Sequence, residues 1–146
     1  MQGDLKKGVY FFSNGTIKVF KNKTKFKLFV AHILKSKGLK LGLINFIFCS
    51  DDELRKLNYD FLSHDYYTDV LTFSLSDNKN VLTADIYISI DRVKDNSSIF
   101  KVPIANELYR VMIHGLLHLC GYNDKKRLDK KKMQAQEDKY LKEYFQ

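Results

Sequence analysis

The sequence predicts a single α+β domain, and three observations predict it. Its 146 residues suffice for one sizeable core and are too few for two. Short β-rich runs are interspersed with segments whose apolar residues recur at helical spacing. No repeat, low-complexity tract or linker divides the chain, so residues 1–146 read as one unit.

The elements follow in order. VYFFSNGTIKVF reads as a hairpin, two β-rich runs around Asn14–Gly15, a pair suited to a two-residue turn with positive φ. Thr24 is placed to N-cap a helix through Lys37, with Phe26, Phe29, Val30, Ile33 and Leu34 on one face and Gly38 just past its end. His32, inside this helix, has no neighbour at ligand spacing and reads as a surface or satisfied histidine. Lys40–Cys49 is apolar nearly throughout and reads as a central strand. Ser50–Glu53, SDDE, is a capping box that opens a short helix to about Leu57.

A loop then feeds a strand at Val70–Leu75, and Asp77–Asn80 turns the chain into a second strand, Val81–Ser89. A helix follows at about Ile90–Phe100. Pro103, the only proline, suits the first residue of the next helix, which runs to Cys120 and stops at Gly121. Lys125–Lys132 forms a basic loop and helix start, leading into a last amphipathic helix to about Tyr144.

Composition narrows the class. Apolar content of 45%, with 14% aromatic, belongs to a globular protein and argues against disorder. No apolar run reaches the length of a membrane span, and MQGDLKKGVYFF has no apolar stretch of signal-peptide length. Cys49 and Cys120 sit in apolar surroundings and read as reduced buried thiols. The expectation is a soluble, cytoplasmic protein without a membrane partner.

Charge is unevenly spread. Ten lysines fall between Lys6 and Lys40, and Asp4 is the only acidic residue before Ser50. That segment carries +9 and the remainder −1, within an overall +8. A polyanion such as RNA would be attracted to such a surface. Lysines on a solvated helix face or guarding a sheet edge would produce the same count.

The chemistry-bearing stretch is HGLLHLCGYND at His114–Asp124. A helix advances about 100° per residue, so His114 and His118 project the same way, one turn apart, and both rings can reach one ion. The helix ends at once, at Gly121, so the chain can bend back and bring Asp124 beside the pair. Gly115 in a helix interior costs roughly 1 kcal/mol relative to Ala, which suggests a close approach to the backbone there. Cys120 points away from His118 and is the weaker ligand candidate. Two histidines and one carboxylate leave a coordination position open, a catalytic arrangement suited to zinc, though such a triad also suits non-haem iron.

This stretch resembles the signature of the YbeY family, bacterial rRNA maturation factors and metal-dependent single-strand endoribonucleases, whose motif runs HGxLHLxGYDH. TDVLTF at Thr68–Phe73 is similar to the family's TDVLSF, ADIYIS at Ala84–Ser89 to its GDIxIS, and Glu107–Leu108 to the EL pair before the histidine helix. The blocks agree in order and spacing from about Asn58 onward; the N-terminal third agrees in pattern only. The resemblance implies a small mixed β-sheet flanked by helices, with the metal-binding helix ending in the active-site cleft. Two departures stand out. The family's third histidine falls on Asp124, whose charge should make the site acidify water less. Its FRGKD block becomes FLSHD at Phe61–Asp65, so Leu62 replaces an arginine and His64 a lysine.

Gly115 occupies the position of the general-base Glu in the peptidase motif HExxH, which argues against a zincin peptidase. Phosphodiester hydrolysis fits better, with Asp85, Glu107 and His64 as candidates to move protons or orient neighbours. His64 is also an alternative third ligand, or a plain loop histidine. Tyr66–Tyr67 and Thr68–Asp69 form a candidate wall where aromatics could stack unpaired bases.

The resemblance implies single-stranded rRNA as substrate, ribosomal particles or assembly proteins as partners, and no DNA. The alternatives are a non-catalytic ribosome-assembly factor with a structural metal, and a metallohydrolase acting on small molecules or peptides.

Overall fold

The computed structural model describes residues 6–13 and 20–146. β1 (Gly8–Ser13) leads to α1 (Lys23–Ser36), β2 (Lys40–Cys49), α2 (Asp51–Leu62), β3 (Val70–Ser74) and β4 (Val81–Ser89). Three helices complete the chain: α3 (Ile90–Phe100), α4 (Ile104–Leu119) and α5 (Arg127–Tyr144). The strands form one mixed sheet in the order β1-β2-β4-β3. β1/β2 and β2/β4 are parallel, with α1 as the crossover between the first two; β3/β4 is an antiparallel pair. Over the described residues the fold is therefore α+β, a small mixed sheet with five helices.

β2 lies between two neighbours, which is why it is apolar along most of its length. Side-chain alternation then divides the sheet into two faces. Ile44, Phe46 and Phe48 of β2, aligned with Ala84, Ile86 and Ile88 of β4, belong to the main core beneath α1 and α4. Phe26 of α1 and Leu116 of α4 are fully buried there; burying one such side chain contributes roughly 1.5–3 kcal/mol. The opposite face carries Leu71, Phe73 and Tyr87, packed with Cys49 and with Leu54 of α2 in a smaller cluster.

Several boundaries differ from the sequence expectation. The N-cap of α1 is Asn22, not Thr24: it adopts left-handed φ 56°, and its side-chain oxygen accepts from the Lys25 N–H at 3.3 Å. Asparagine tolerates that conformation better than a β-branched residue does. The capping box at Ser50–Glu53 is formed in both directions, but α2 continues past Leu57 to Leu62. It does so because Asn58 is turned inward, where its amide donates to the Tyr66 carbonyl at 3.2 Å. Pro103 is the N-cap of α4 rather than its first residue, and its carbonyl accepts from the Glu107 N–H at 3.1 Å. β3 ends at Ser74, one residue short of Leu75.

Of the expected hairpin, the first run is β1, which pairs with β2; the turn and most of the return run, residues 14–19, lie outside the described residues. Both cysteines are free thiols. Burial pushes Cys49 up to about 12 and Cys120 up to about 11.

Candidate metal centre

α4 can lie directly against the sheet at position 115 because that residue has no side chain. A Cβ there would stand 3.0 Å from Ile86 Cγ2 and Val70 Cγ2, and 3.3 Å from Thr72 Cγ2. The close approach that Gly115 implied is therefore made by strands β3 and β4. With Gly115 against the sheet, His114 and His118 stand at the border of the core, their ring centroids 4.6 Å apart.

The chain reverses immediately after α4. Gly121 takes φ 104°, a value few L residues adopt, and the Tyr122 N–H returns to the Leu117 carbonyl at 3.1 Å. Lys37, at the end of α1, steadies this loop: its ammonium donates to Tyr122 Oη at 2.8 Å and to Gln136 Oε1 at 2.7 Å. Asp124 is thereby carried back to the histidines. Its Oδ2 lies 3.3 Å from His114 Nε2 and 3.4 Å from His118 Nε2.

The donor set fits a divalent cation. One ligand atom from each of His114, His118 and Asp124 lies within 4.8 Å of the others, and among the described residues this is the group of three so arranged. Each imidazole has its Nδ1 engaged elsewhere and turns Nε2 inward. His114 Nδ1 donates to Glu137 Oε2 at 2.6 Å, and His118 Nδ1 donates to the Tyr122 carbonyl at 2.9 Å. Burial opposes protonation of His114, but the bond to Glu137 and the charges of Glu137, Asp69 and Asp124 outweigh it and raise its pKa above the ordinary histidine value. An environment that favours positive charge at this spot favours a cation as well.

Beside His114 opens a cavity of about 690 Å³ between α3, α4 and α5. Asp69, Asn96, Glu107 and Arg110 line its polar side, and Phe100, Val102, Leu141 and Phe145 its apolar side. The Asn96 amide donates to Asp69 Oδ2 at 3.3 Å and to Glu107 Oε2 at 3.4 Å, tying a half-buried and a buried carboxyl group together. Burial is the main cause that holds both carboxyls above the ordinary carboxylate range.

The remaining candidates are dispersed. Asp85 is not at the site. It lies on the sheet face opposite α4, where it accepts from Asn45 Nδ2 at 3.0 Å, because strand alternation gives Ile86 to the α4 side. His64 is exposed, stacks on Tyr66 at 5.2 Å between centroids and is no member of the ligand group. Tyr66 and Tyr67 are exposed on the loop after α2, and the Tyr67 ring lies beneath Arg55 at 4.9 Å and Arg92 at 5.7 Å. Leu62 is exposed at the end of α2. Cys120 caps α4 and packs against the main core. Sequence reasoning passed over Glu137, Asn96 and Arg110. Glu137 had a signal: it interrupts the apolar stripe Met133–Tyr140–Tyr144 with a charge.

Comparison with known proteins gives the chain its family and a matching fold. The profile of the family described as Endoribonuclease YbeY matches residues 11–145. A protein named Endoribonuclease YbeY from Cytophaga hutchinsonii is 43% identical over 133 residues, 91% of this chain and 93% of that one. Its namesake from Flavobacterium psychrophilum is 44% identical over 122 residues, 84% of this chain and 86% of that one. The solution structure of TM1509 from Thermotoga maritima superposes with a TM-score of 0.61 at 30% identity, covering 94% of this chain and 89% of that one. The protein that folds two histidines and an aspartate together, with His114 also lining this cavity, belongs to the YbeY family of endoribonucleases.

Proposed function

We infer that the protein is a metal-dependent endoribonuclease that cuts single-stranded RNA during rRNA processing and ribosome maturation, using one zinc ion per chain. The observation that carries the reading is the convergence of His114 Nε2, His118 Nε2 and Asp124 Oδ2, with His114 also lining a cavity, in a chain of this family. A divalent ion bound by these three groups supplies Lewis acidity to a phosphoryl oxygen and to the attacking water. The chain's own residues do the rest. The Tyr122 carbonyl, bonded to His118 Nδ1, fixes that imidazole. Glu107, on the helix face of His114 and in the same cavity, orients neighbours through Asn96 or exchanges a proton with substrate.

RNA as substrate is supported by the surroundings. Exposed Lys125, Lys126 and Arg127 directly follow Asp124 and offer cations for the phosphate backbone. In the basic first third, Lys25 and Lys37 are already bonded within the fold, so the steering surface is the exposed remainder, such as Lys21, Lys23 and Lys35. Tyr66 and Tyr67, both exposed, suit stacking on unpaired bases. Among the described residues no helix is long and apolar enough to cross a membrane, and a cytoplasmic site of action on ribosomal particles fits the substrate.

Cleavage of one RNA sequence, offered unstructured and as a duplex, tests the proposal. The unstructured form should be cut and the duplex spared, with cutting lost in His114→Ala and after chelation. Purified, zinc-loaded protein that cuts neither form would point to a ribosome-assembly factor whose metal holds the fold.

A further inference from the structure

Of the side chains that sequence reasoning passed over, Glu137 is the one bonded to a candidate ligand, His114. Glu137 is 7% exposed and occupies a core position of α5, between Met133 and Tyr140. A carboxylate in such a place is costly unless both its oxygens are satisfied. Both are: Oε1 accepts from Arg110 Nη1 at 3.0 Å, and Oε2 accepts from His114 Nδ1 at 2.6 Å. Arg110 is itself held, its other terminal nitrogen donating to Asp138 Oδ1 at 3.0 Å. A carboxylate kept only for packing α5 on α4 would need the arginine alone. The shorter bond goes to the histidine.

We propose that Glu137 is a positioning residue of the metal centre: it locks the His114 ring with its proton on Nδ1, so that Nε2 faces the ion. This rests on the reading that His114, His118 and Asp124 hold that ion. The two histidines differ here, because the carbonyl that holds His118 belongs to the backbone, whereas the group holding His114 is a side chain on another helix. A carboxylate partner also raises the basicity of a ligating imidazole. α5 thus contributes to the centre without providing a ligand.

Zinc affinity, measured by competition with a chromophoric chelator, tests this in wild type, Glu137→Ala, Glu137→Gln and His118→Ala. Glu137→Ala should bind zinc about 10–100-fold more weakly. Glu137→Gln keeps an acceptor oxygen and nearly the same volume, so it should fold as wild type does and lose less. In zinc-free protein at pH 9, nitrogen NMR of the imidazoles should place the His114 proton on Nδ1 in wild type and shift it toward Nε2 in Glu137→Ala. General destabilisation would not move that proton. Equal zinc affinity in wild type and both Glu137 variants, with His118→Ala defective, overturns the proposal and leaves the metal site standing. Wild type that binds zinc no better than His118→Ala overturns both.

Discussion

Gly115 and Ile86 meet backbone to methyl: a Cβ on the glycine would stand 3.0 Å from Ile86 Cγ2. This contact sets the depth of α4 on the sheet and hence the height of both histidines above it. It also shows why the helix cannot carry the glutamate of HExxH. A side chain at 115 would point into β3 and β4, not into the cleft.

Gly115→Ala opposes two effects. The helix gains about 1 kcal/mol of propensity, while overpacking a filled core costs about 1–3 kcal/mol. All three facing methyls belong to β-branched residues with stiff χ1, so packing should win by roughly 1 kcal/mol. Thermal unfolding of the metal-free protein should fall by about 2–4 °C. An unchanged or higher midpoint would mean that the strands yield.

Asp124 is the only anionic member of the ligand group. Asp124→Ala should lower zinc affinity and abolish RNA cleavage, leaving the fold intact because the residue lies in a surface loop. Asp124→His, which restores a neutral nitrogen donor, should bind zinc and cut RNA. Paired zinc-affinity and cleavage measurements check both variants; cleavage by Asp124→Ala at the wild-type rate would remove the residue from the site.

Glu107 gives a pH signature. Burial above all holds its folded pKa above the unfolded value, against the hydrogen bond from Asn96 and the charge of Arg110. Its proton is bound more tightly in the folded state, so its contribution to stability is present at low pH. That contribution is lost as pH rises from the ordinary glutamate range, about 4.3, through the folded value. Glu107→Gln carries no such loss. The variant's unfolding midpoint, relative to wild type, should therefore be more favourable at pH 7 than at pH 4. A difference independent of pH would show that Glu107 ionises at no cost.

The two thiols should be inert. With Cys49 near 12 and Cys120 near 11, little thiolate exists at pH 8. An alkylating reagent should label neither quickly in the folded protein and both in denaturant, as mass spectrometry would show.

The fold was legible wherever local pattern decides the outcome. α3 and the strands β2 and β4 fall on their expected residues, because apolar runs, capping residues and turn residues act within a few positions. His114, His118 and Asp124 converge because helical periodicity and a glycine stop are local rules too. The misplaced features depend on distant contacts. Asp85 faces away because the side of β4 that α4 covers is chosen by tertiary packing. α2 outruns its expected end because Asn58 finds a carbonyl eight residues on. Glu137 is 23 residues from the histidine it holds, a distance no local pattern spans; only its intrusion into an apolar stripe marked it.

RNA cleavage by the His–His–Asp centre is tested most directly by titrating zinc into metal-free protein while following cleavage of a short unstructured RNA. Cleavage should rise with added zinc and level off at one ion per chain, with no rise in Asp124→Ala. Cleavage at full rate before zinc is added, or none once one ion per chain is bound, would contradict it.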